Sequence, residues 1–187
     1  MNDFMHKEFP KTVGRTEFWK QIKRTVNGKE VEEEDIQMII SQIKDKLKFD
    51  KGDHLLDLGC GNAALSSNFF REIKKYTGVD FSSYLLEVAT EFFKPSGNIS
   101  YVNDEILNFV NTTEGCGLYS KALVYGAMAY LSRQEFSQLV DQLNNRFVNC
   151  RDIFIGNIPN KHRAAKFYRD KADLGLNLEN PKSPIGV

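Results

Sequence analysis

Apolar residues recur at two different periods along the chain. In the stretch VEEEDIQMIISQIKDKL, residues 31–47, they fall at helical spacing and form one stripe, and acidic residues gather in the first turn, where the helix dipole favours them. Short apolar runs typical of β-strands follow it at intervals. Strands are predicted in the following stretches: HLLDL, KYTGVD, NISYVND, YSKALVYG and RDIFIGNI.

Helix signals lie between these predicted strands. A helix is predicted over residues 64–73, because large apolar residues recur there at a spacing of four. Ser82 or Ser83 can cap a second helix, and Ser132 followed by Glu135 is a capping box that opens a third. The fourth strand is continuously apolar, as parallel strands buried on both faces are. The alternation predicts an α/β fold, a doubly wound Rossmann-like sheet of about five parallel strands with helices on both faces.

The chain divides into three parts around this predicted sheet. Residues 1–30 are rich in large aromatic side chains and are interpreted as an N-terminal lid, residues 31–158 as the core domain, and residues 159–187 as a tail. The tail is broken by glycine, asparagine and proline, so it cannot easily supply the two strands of a C-terminal β-hairpin. The last strand, RDIFIGNI, would then be a sheet edge. We expect the tail or a second copy of the chain to cover that edge, which makes a homodimer possible.

Composition and charge narrow the classes of partner. Lys plus Arg and Asp plus Glu each total 25 in 187 residues, so no global field attracts nucleic acid or an anionic membrane. Three cysteines without metal-ligand spacing indicate free thiols in a reducing compartment and no metal site. The N-terminus carries charges where a signal peptide needs an apolar core, and no apolar run is long enough to span a bilayer. We therefore expect a cytoplasmic protein that acts on a small molecule.

The stretch DLGCGNAA follows the first predicted strand and contains two glycines one residue apart. Gly59 and Gly61 permit a tight turn and a close backbone approach to a ligand. Together with Ala64 and the downstream Asp80, they also match the spacing of a dinucleotide site. Asp57 distinguishes a dinucleotide site from a site for S-adenosylmethionine. Its carboxylate would repel a pyrophosphate, whereas S-adenosylmethionine carries an ammonium and a sulfonium that a carboxylate attracts.

Three segments, LLDLGCGNAAL, YTGVDFS and YVNDEI, resemble the cofactor-binding segments of class I S-adenosylmethionine-dependent methyltransferases. The resemblance covers roughly residues 49–158, and each segment lies at the end of a predicted strand. It implies that the loop containing Asp57, Gly59, Cys60 and Gly61 surrounds the methionine part of the cofactor. No histidine is placed by a motif to activate Cys60, which is therefore expected to be a small buried loop residue rather than a nucleophile.

The same resemblance implies roles for the ends of the second and third strands. Asp80 falls where the family binds both ribose hydroxyls, and Phe81 where an apolar side chain lies against adenine. Asp104 falls where the family binds the adenine amino group, with Glu105 and Ile106 supplying adjacent backbone. Taken singly, Asp80 could instead cap the following helix and Asp104 could be a turn residue. Three acids at three successive strand ends favour the cofactor site.

The methyl acceptor is suggested by the stretch VYGAMAYLS after the fourth strand. It lacks the Asn/Asp-Pro-Pro-aromatic run of enzymes that methylate nucleic acid bases, and it resembles small-molecule methyltransferases, in which these residues form the floor of the acceptor pocket. Tyr125 and Tyr130 are candidates for that floor, whereas Met128 is expected in the core. His162 is a further catalytic candidate, since it can titrate near neutrality.

The predicted function is transfer of a methyl group from S-adenosylmethionine to an oxygen or nitrogen of a small molecule, with no nucleic acid or membrane partner. Two alternatives stay open. One is an NAD-dependent oxidoreductase with a Rossmann fold, and the other is a protein that binds S-adenosylmethionine without catalysis.

Overall fold

The structure is a computed structural model, and it describes residues 7–26, 29–94 and 97–158. In chain order the strands are β1 (Thr25–Val26), β2 (Lys29–Glu30), β3 (His54–Leu58), β4 (Lys75–Asp80), β5 (Ile99–Asn103), β6 (Lys121–Tyr125) and β7 (Asp152–Gly156). The last five form one sheet in the order β5-β4-β3-β6-β7, and every neighbouring pair is parallel. The predicted fold, a Rossmann-like α/β sheet of five parallel strands, is confirmed.

The α-helices of the described residues are α1 (Phe18–Gln21), α2 (Glu33–Leu47), α3 (Ser83–Phe92), α4 (Ile106–Thr112) and α5 (Arg133–Arg146). Helix α2 agrees with the predicted apolar stripe, because the residues it buries recur at three and four positions. Helix α3 is capped by Ser82, whose hydroxyl accepts the Leu85 N–H, and α5 opens with the predicted capping box. Helix α4 was not predicted from the sequence.

Two apolar clusters pack the helices onto opposite faces of the sheet. Buried side chains of α2 and α3 meet one face through Leu55 and Tyr76. Buried side chains of α4 and α5 meet the other face through Leu56 and Val124. Successive residues of a strand point to opposite faces, so adjacent Leu55 and Leu56 belong to different clusters. This three-layer arrangement leaves the ends of the strands as the places where polar groups converge.

The predicted helix over residues 64–73 is wrong: the chain forms only a 3-10 turn at Ser66–Phe69. Local side-chain bonds account for the difference. The Ser67 hydroxyl donates to the Ala64 carbonyl at 2.9 Å, and the Asn68 amide donates to the carbonyls of Ala64 and Leu65. Such bonds compete with the backbone bonds of an α-helix. The apolar pattern was still informative, because Leu65, Phe69 and Ile73 are buried in the core.

Near the N-terminus β1 and β2 pair antiparallel, with Val26 opposite Lys29. Asn27 and Gly28, between the two strands, lie outside the described residues. So does the segment 159–187, which leaves the predictions about the tail and the missing hairpin untested. Within the described residues β7 pairs with β6 alone. No helix in the described ranges has the length and apolarity needed to cross a membrane.

Candidate cofactor site

The carboxyl ends of the parallel strands β3, β4, β5 and β6 lie on the same side of the sheet. Backbone hydrogen bonds join the segments that follow β3 and β5 to the end of β4. The Gly59 N–H donates to the carbonyl of Val79 at 2.8 Å, and the Asp104 N–H donates to the carbonyl of Asp80 at 3.1 Å. A ligand at the end of a doubly wound sheet binds at such a crevice. The structure therefore brings the three motif segments together.

The glycine loop after β3 uses both glycines in left-handed conformations, with φ of +79° at Gly59 and +56° at Gly61. A Cβ on Gly59 would lie 2.6 Å from the Cβ of Ala127, which follows β6. A Cβ on Gly61 would lie 2.9 Å from a methyl carbon of Ile22, in the N-terminal region. The loop is thus held between the chain after β6 and the N-terminal segment.

Replacement of Gly59 by alanine is expected to reduce the free energy of unfolding by about 2 kcal/mol, because it adds left-handed strain to a clash with Ala127. Urea denaturation measures the change. Gly97→Ala is the matched control, since a Cβ there meets no atom within 4 Å. Equal stability of the two variants would contradict the strain assigned to Gly59.

Asp80 is buried at the end of β4 and braces the two neighbouring loops. One carboxylate oxygen accepts the Gly61 N–H at 2.8 Å, and the other accepts the Ser82 N–H at 2.9 Å. The cap of α3 is Ser82 and not Asp80, so simple helix capping does not explain this acid. Burial raises the pKa of Asp80 to about 6, although both N–H bonds favour its charged form.

Asp57 is buried on β3 beside Gly78 of β4. One of its carboxylate oxygens accepts the hydroxyls of Ser66 and Tyr76, the latter at 2.8 Å. Burial raises its pKa to about 6, while the two hydroxyl bonds and the nearby Arg24 charge oppose the rise. The sequence led us to expect a positively charged group beside Asp57. The guanidinium of Arg24 is one such group, and it comes from the chain itself.

Arg24 is the residue at this site that sequence reasoning missed. Its guanidinium carbon lies 4.4 Å from the centroid of the Tyr125 ring, and it donates a long bond of 3.4 Å to the Tyr125 carbonyl. Its charge also interacts with Asp57 and Tyr130, and burial lowers its pKa. Arg24 lies outside the three motif segments, so no motif marked this side chain.

The end of β5 is more exposed than the ends of β3 and β4. The carboxylate of Asp104 accepts the Glu105 N–H at 2.8 Å and the side-chain amide of Asn108 at 2.8 Å, as a turn residue would. Ile106 begins α4, and a methyl of it lies near Gly59. Phe81 follows Asp80 and is half-buried. Of these residues, Ile106 approaches the glycine loop, whereas Asp104 forms local hydrogen bonds and Phe81 lies beneath Lys7.

The acceptor-side candidates have different surroundings. Met128 is buried in the core cluster of α4 and α5, as expected. Tyr130 interacts electrostatically with Asp80 and Arg24, so it lies at the crevice, and burial raises the pKa of its hydroxyl. Tyr125 stacks on Phe154 with ring centroids 6.4 Å apart. His162 lies outside the described residues.

Cys60 is buried, and burial raises the pKa of its thiol well above the ordinary value. A Cβ on Gly78 would lie 2.8 Å from its sulfur, so the thiol packs against β4. A protonated, enclosed thiol is a poor nucleophile. Within the described ranges, no three histidine, cysteine, aspartate or glutamate side chains converge as metal ligands would.

The residues present fit S-adenosylmethionine. Each oxygen of the Asp80 carboxylate accepts one backbone N–H, and because a carboxylate oxygen can accept two bonds, each keeps a lone pair for one hydroxyl of a ribose. The buried acid Asp57 and the cation Arg24 stand near one another beside the glycine loop. An amino-acid group with an ammonium and a carboxylate needs this combination of charges.

Comparison with known proteins agrees with this geometry. Residues 55–146 match the family model described as a methyltransferase domain. The methyltransferase domain of the bacterial protein CtHen1-C is 21% identical with a TM-score of 0.56, over 75% of this chain and 71% of that one. The N-methyltransferase NodS from Bradyrhizobium japonicum WM9 is 17% identical with a TM-score of 0.53, over 62% of this chain and 65% of that one.

A precorrin 8W decarboxylase from Methanobacterium thermoautotrophicum is 14% identical with a TM-score of 0.50, over 62% of this chain and 60% of that one. The chain thus spans less than two thirds of the length of this protein and of NodS. No curated protein matches the chain. At these identities the solved structures show the fold alone. The family model covers the glycine loop and the acids described above. The chain therefore carries a methyltransferase domain, in the fold of the class I S-adenosylmethionine-dependent methyltransferases that its three sequence segments resemble.

Proposed function

We propose that this protein transfers the methyl group of S-adenosylmethionine, the cofactor of its family, to an oxygen or nitrogen of a small molecule. The observation that carries the proposal is the convergence of two buried carboxylates, Asp57 and Asp80, on a left-handed glycine loop at the ends of β3 and β4. That arrangement suits a cationic, ribose-bearing ligand and disfavours a pyrophosphate, which counts against the oxidoreductase alternative.

The chain's own contribution to methyl transfer is alignment and exclusion of water. When bound, the donor supplies an activated methyl on a sulfonium, so the protein has to hold the acceptor in line with it. In this proposal Asp80 holds the ribose and Arg24 the donor carboxylate. The Tyr130 hydroxyl is protonated at neutral pH, as tyrosine ordinarily is, and burial raises its pKa further, so it can orient an acceptor by hydrogen bonding but is a poor base.

Two features support a small acceptor. The chain after β6 forms a 3-10 turn at Ala127–Tyr130, without the Asn/Asp-Pro-Pro-aromatic run of base-methylating enzymes. The formal net charge is zero, which gives no general attraction for nucleic acid. The cysteines Cys60, Cys116 and Cys150 are unpaired, which supports the proposal of a cytoplasmic location.

Titration calorimetry with S-adenosylmethionine, S-adenosylhomocysteine and NADH tests the cofactor. We expect the first two to bind and NADH not to bind. Incubation with donor labelled in its methyl group and a fractionated metabolite extract tests the reaction, and label should appear in a small molecule. Binding of NADH alone would restore the oxidoreductase alternative, and donor binding without any transfer of label would favour a non-catalytic protein.

Donor affinity is expected to fall as the pH drops below about 6, where Asp57 and Asp80 take up protons. The loss should approach tenfold per pH unit for one carboxylate that must be charged. Asp57→Asn should flatten the profile of S-adenosylmethionine more than that of S-adenosylhomocysteine, whose sulfur is neutral. Calorimetry between pH 5 and 8 measures this, and a flat wild-type profile would refute it.

Asp57 and Asp80 also determine the direction in which the stability of the unliganded protein changes with pH. Their folded-state pKa values are raised from 3.8 to about 6, so the folded protein retains protons that the unfolded chain releases. The free energy of unfolding of the unliganded protein should therefore decrease as the pH rises from about 4 to about 6.

A further inference from the structure

A buried pair of side-chain amides, Asn62 and Gln21, joins the glycine loop to the N-terminal segment. Asn62 has no solvent exposure, and its Nδ2 donates to the Phe18 carbonyl and to Gln21 Oε1, both at 2.9 Å. Its Oδ1 accepts the Ala64 N–H at 3.2 Å. The side chain of Asn62 therefore donates its hydrogen bonds to α1 and accepts one from the glycine loop.

Gln21 is equally enclosed, with 2% of its surface exposed. Its Nε2 donates to the carbonyl of Gly14 at 2.9 Å, while its Oε1 accepts from Asn62. A buried amide that loses its hydrogen-bond partner is left desolvated without compensation, which is unfavourable. Both amides thus have one low-energy arrangement, and that arrangement fixes residues 14–21 against the loop.

The segment fixed in this way places two side chains on the cofactor site. Ile22 lies over Gly61, and Arg24 lies over Tyr125 with its charge near Asp57. The Arg24 N–H donates to the Trp19 carbonyl at 2.8 Å, so the backbone position of Arg24 follows α1 directly. The amide pair and the guanidinium are therefore parts of one rigid connection.

We propose that Gln21 and Asn62 are positioning residues for the amino-acid end of the methyl donor, which they control by holding Arg24 at the site. This inference rests on the proposed function, since it assigns the donor's amino-acid end to that place. Arg24 supplies a guanidinium fork suited to a carboxylate. The adenosine end is assigned to Asp80, whose carboxylate bonds to the Gly61 and Ser82 N–H groups and not to either amide, so we expect the pair to affect that end less.

A second connection between the same segment and the core provides a comparison. Arg15 forms an ion pair with Glu91 of α3, and the two side chains are 43% and 50% exposed. Exposed pairs contribute little, because solvent screens them and two long side chains lose freedom. The buried amide pair should therefore dominate the position of the segment.

The test compares Gln21→Met, which keeps the length of the side chain and removes its hydrogen bonds, with Arg15→Ala. Calorimetry measures binding of S-adenosylhomocysteine and of 5′-methylthioadenosine, which has the adenosine and the sulfur but no amino-acid end. We expect Gln21→Met to weaken S-adenosylhomocysteine at least tenfold and 5′-methylthioadenosine by less than threefold. Arg15→Ala should change both by less than threefold.

Asn62→Ser serves as a second variant if Gln21→Met does not fold, and it should give the same selective loss. Unchanged binding of both ligands to folded variants would overturn the inference and leave the proposed function intact, as would an equal loss of both. Failure of the wild-type protein to bind either ligand would instead refute the proposed function. A selective loss of S-adenosylhomocysteine supports the positioning role, because general destabilisation would not distinguish the two ligands.

Discussion

Replacement of Asp80 by alanine should weaken binding of S-adenosylmethionine and S-adenosylhomocysteine at least a hundredfold. The carboxylate is assigned both ribose hydroxyls, and a hydrogen bond to a charged group contributes about 1.5–3 kcal/mol. The variant also leaves the N–H groups of Gly61 and Ser82 without their carboxylate acceptor, so the glycine loop and the start of α3 lose their brace. Calorimetry with both ligands measures the loss.

Two variants make the Asp80 experiment interpretable. Asp80→Asn keeps one acceptor oxygen and should retain more stability than alanine while still losing most of the affinity. Asp104→Ala removes a carboxylate that is partly exposed and already bonded to Asn108, so we expect less than a tenfold loss. A folded Asp80→Ala protein with wild-type affinity would mean that the ribose is held elsewhere.

Replacement of Lys121 by methionine is expected to reduce the free energy of unfolding by about 3 kcal/mol. Lys121 is 4% exposed, and its Nζ lies 2.8 Å from Asp152 Oδ2 and 3.7 Å from Asp53 Oδ2. Asp53 is 1% exposed, so removing the cation leaves a buried carboxylate with less compensation. The Ser120 hydroxyl, which donates to Asp53 at 2.7 Å, keeps the expected effect at the low end for such pairs.

Urea denaturation of three variants separates this charge effect from lost packing. Asp152→Asn should cost less than about 1 kcal/mol, because that side chain is 47% exposed. Lys121→Met combined with Asp53→Asn should recover a large part of the stability, since the uncompensated charge is gone. The cluster is at the amino ends of the strands, so donor affinity should not change. A Lys121→Met protein within 1 kcal/mol of wild type would show that Arg151, 3.4 Å from Asp53 Oδ1, and the Ser120 hydroxyl are sufficient partners for Asp53.

Buried charged residues lie at both ends of the strands of this sheet, and their surroundings differ. At the amino ends, Asp53 pairs with Lys121 and Arg151, and Lys121 also pairs with Asp152. At the carboxyl ends, the guanidinium of Arg24 opposes the charge of Asp57, and the buried Asp80 lies nearby. Burial raises the pKa of both acids, which indicates that their charged forms lack full compensation. A cationic donor would supply that compensation.

Local sequence patterns predicted the sheet and three of its helices, apolar periodicity indicating the strands and α2, and capping residues indicating α3 and α5. Strand β6 was recognisable because a parallel strand covered on both faces is apolar throughout, and α5 because its capping box is a local signal. The prediction of a helix over residues 64–73 was wrong, because apolar spacing does not reveal that the side chains of Ser67 and Asn68 donate to the preceding carbonyl of Ala64. Helix α4 has seven residues, too few for a periodic signal.

The sequence by itself determined the order of strands and helices, the position of the glycine loop and the three acids at successive strand ends, because each of these follows from local spacing and from the topology of a parallel sheet. Only the tertiary structure decided which partners those groups have. Asp57 bonds to Tyr76 across 19 positions of the chain, and Asn62 bonds to Gln21 across 41. Contacts between residues so distant in sequence depend on how the segments pack, and no local pattern encodes that packing.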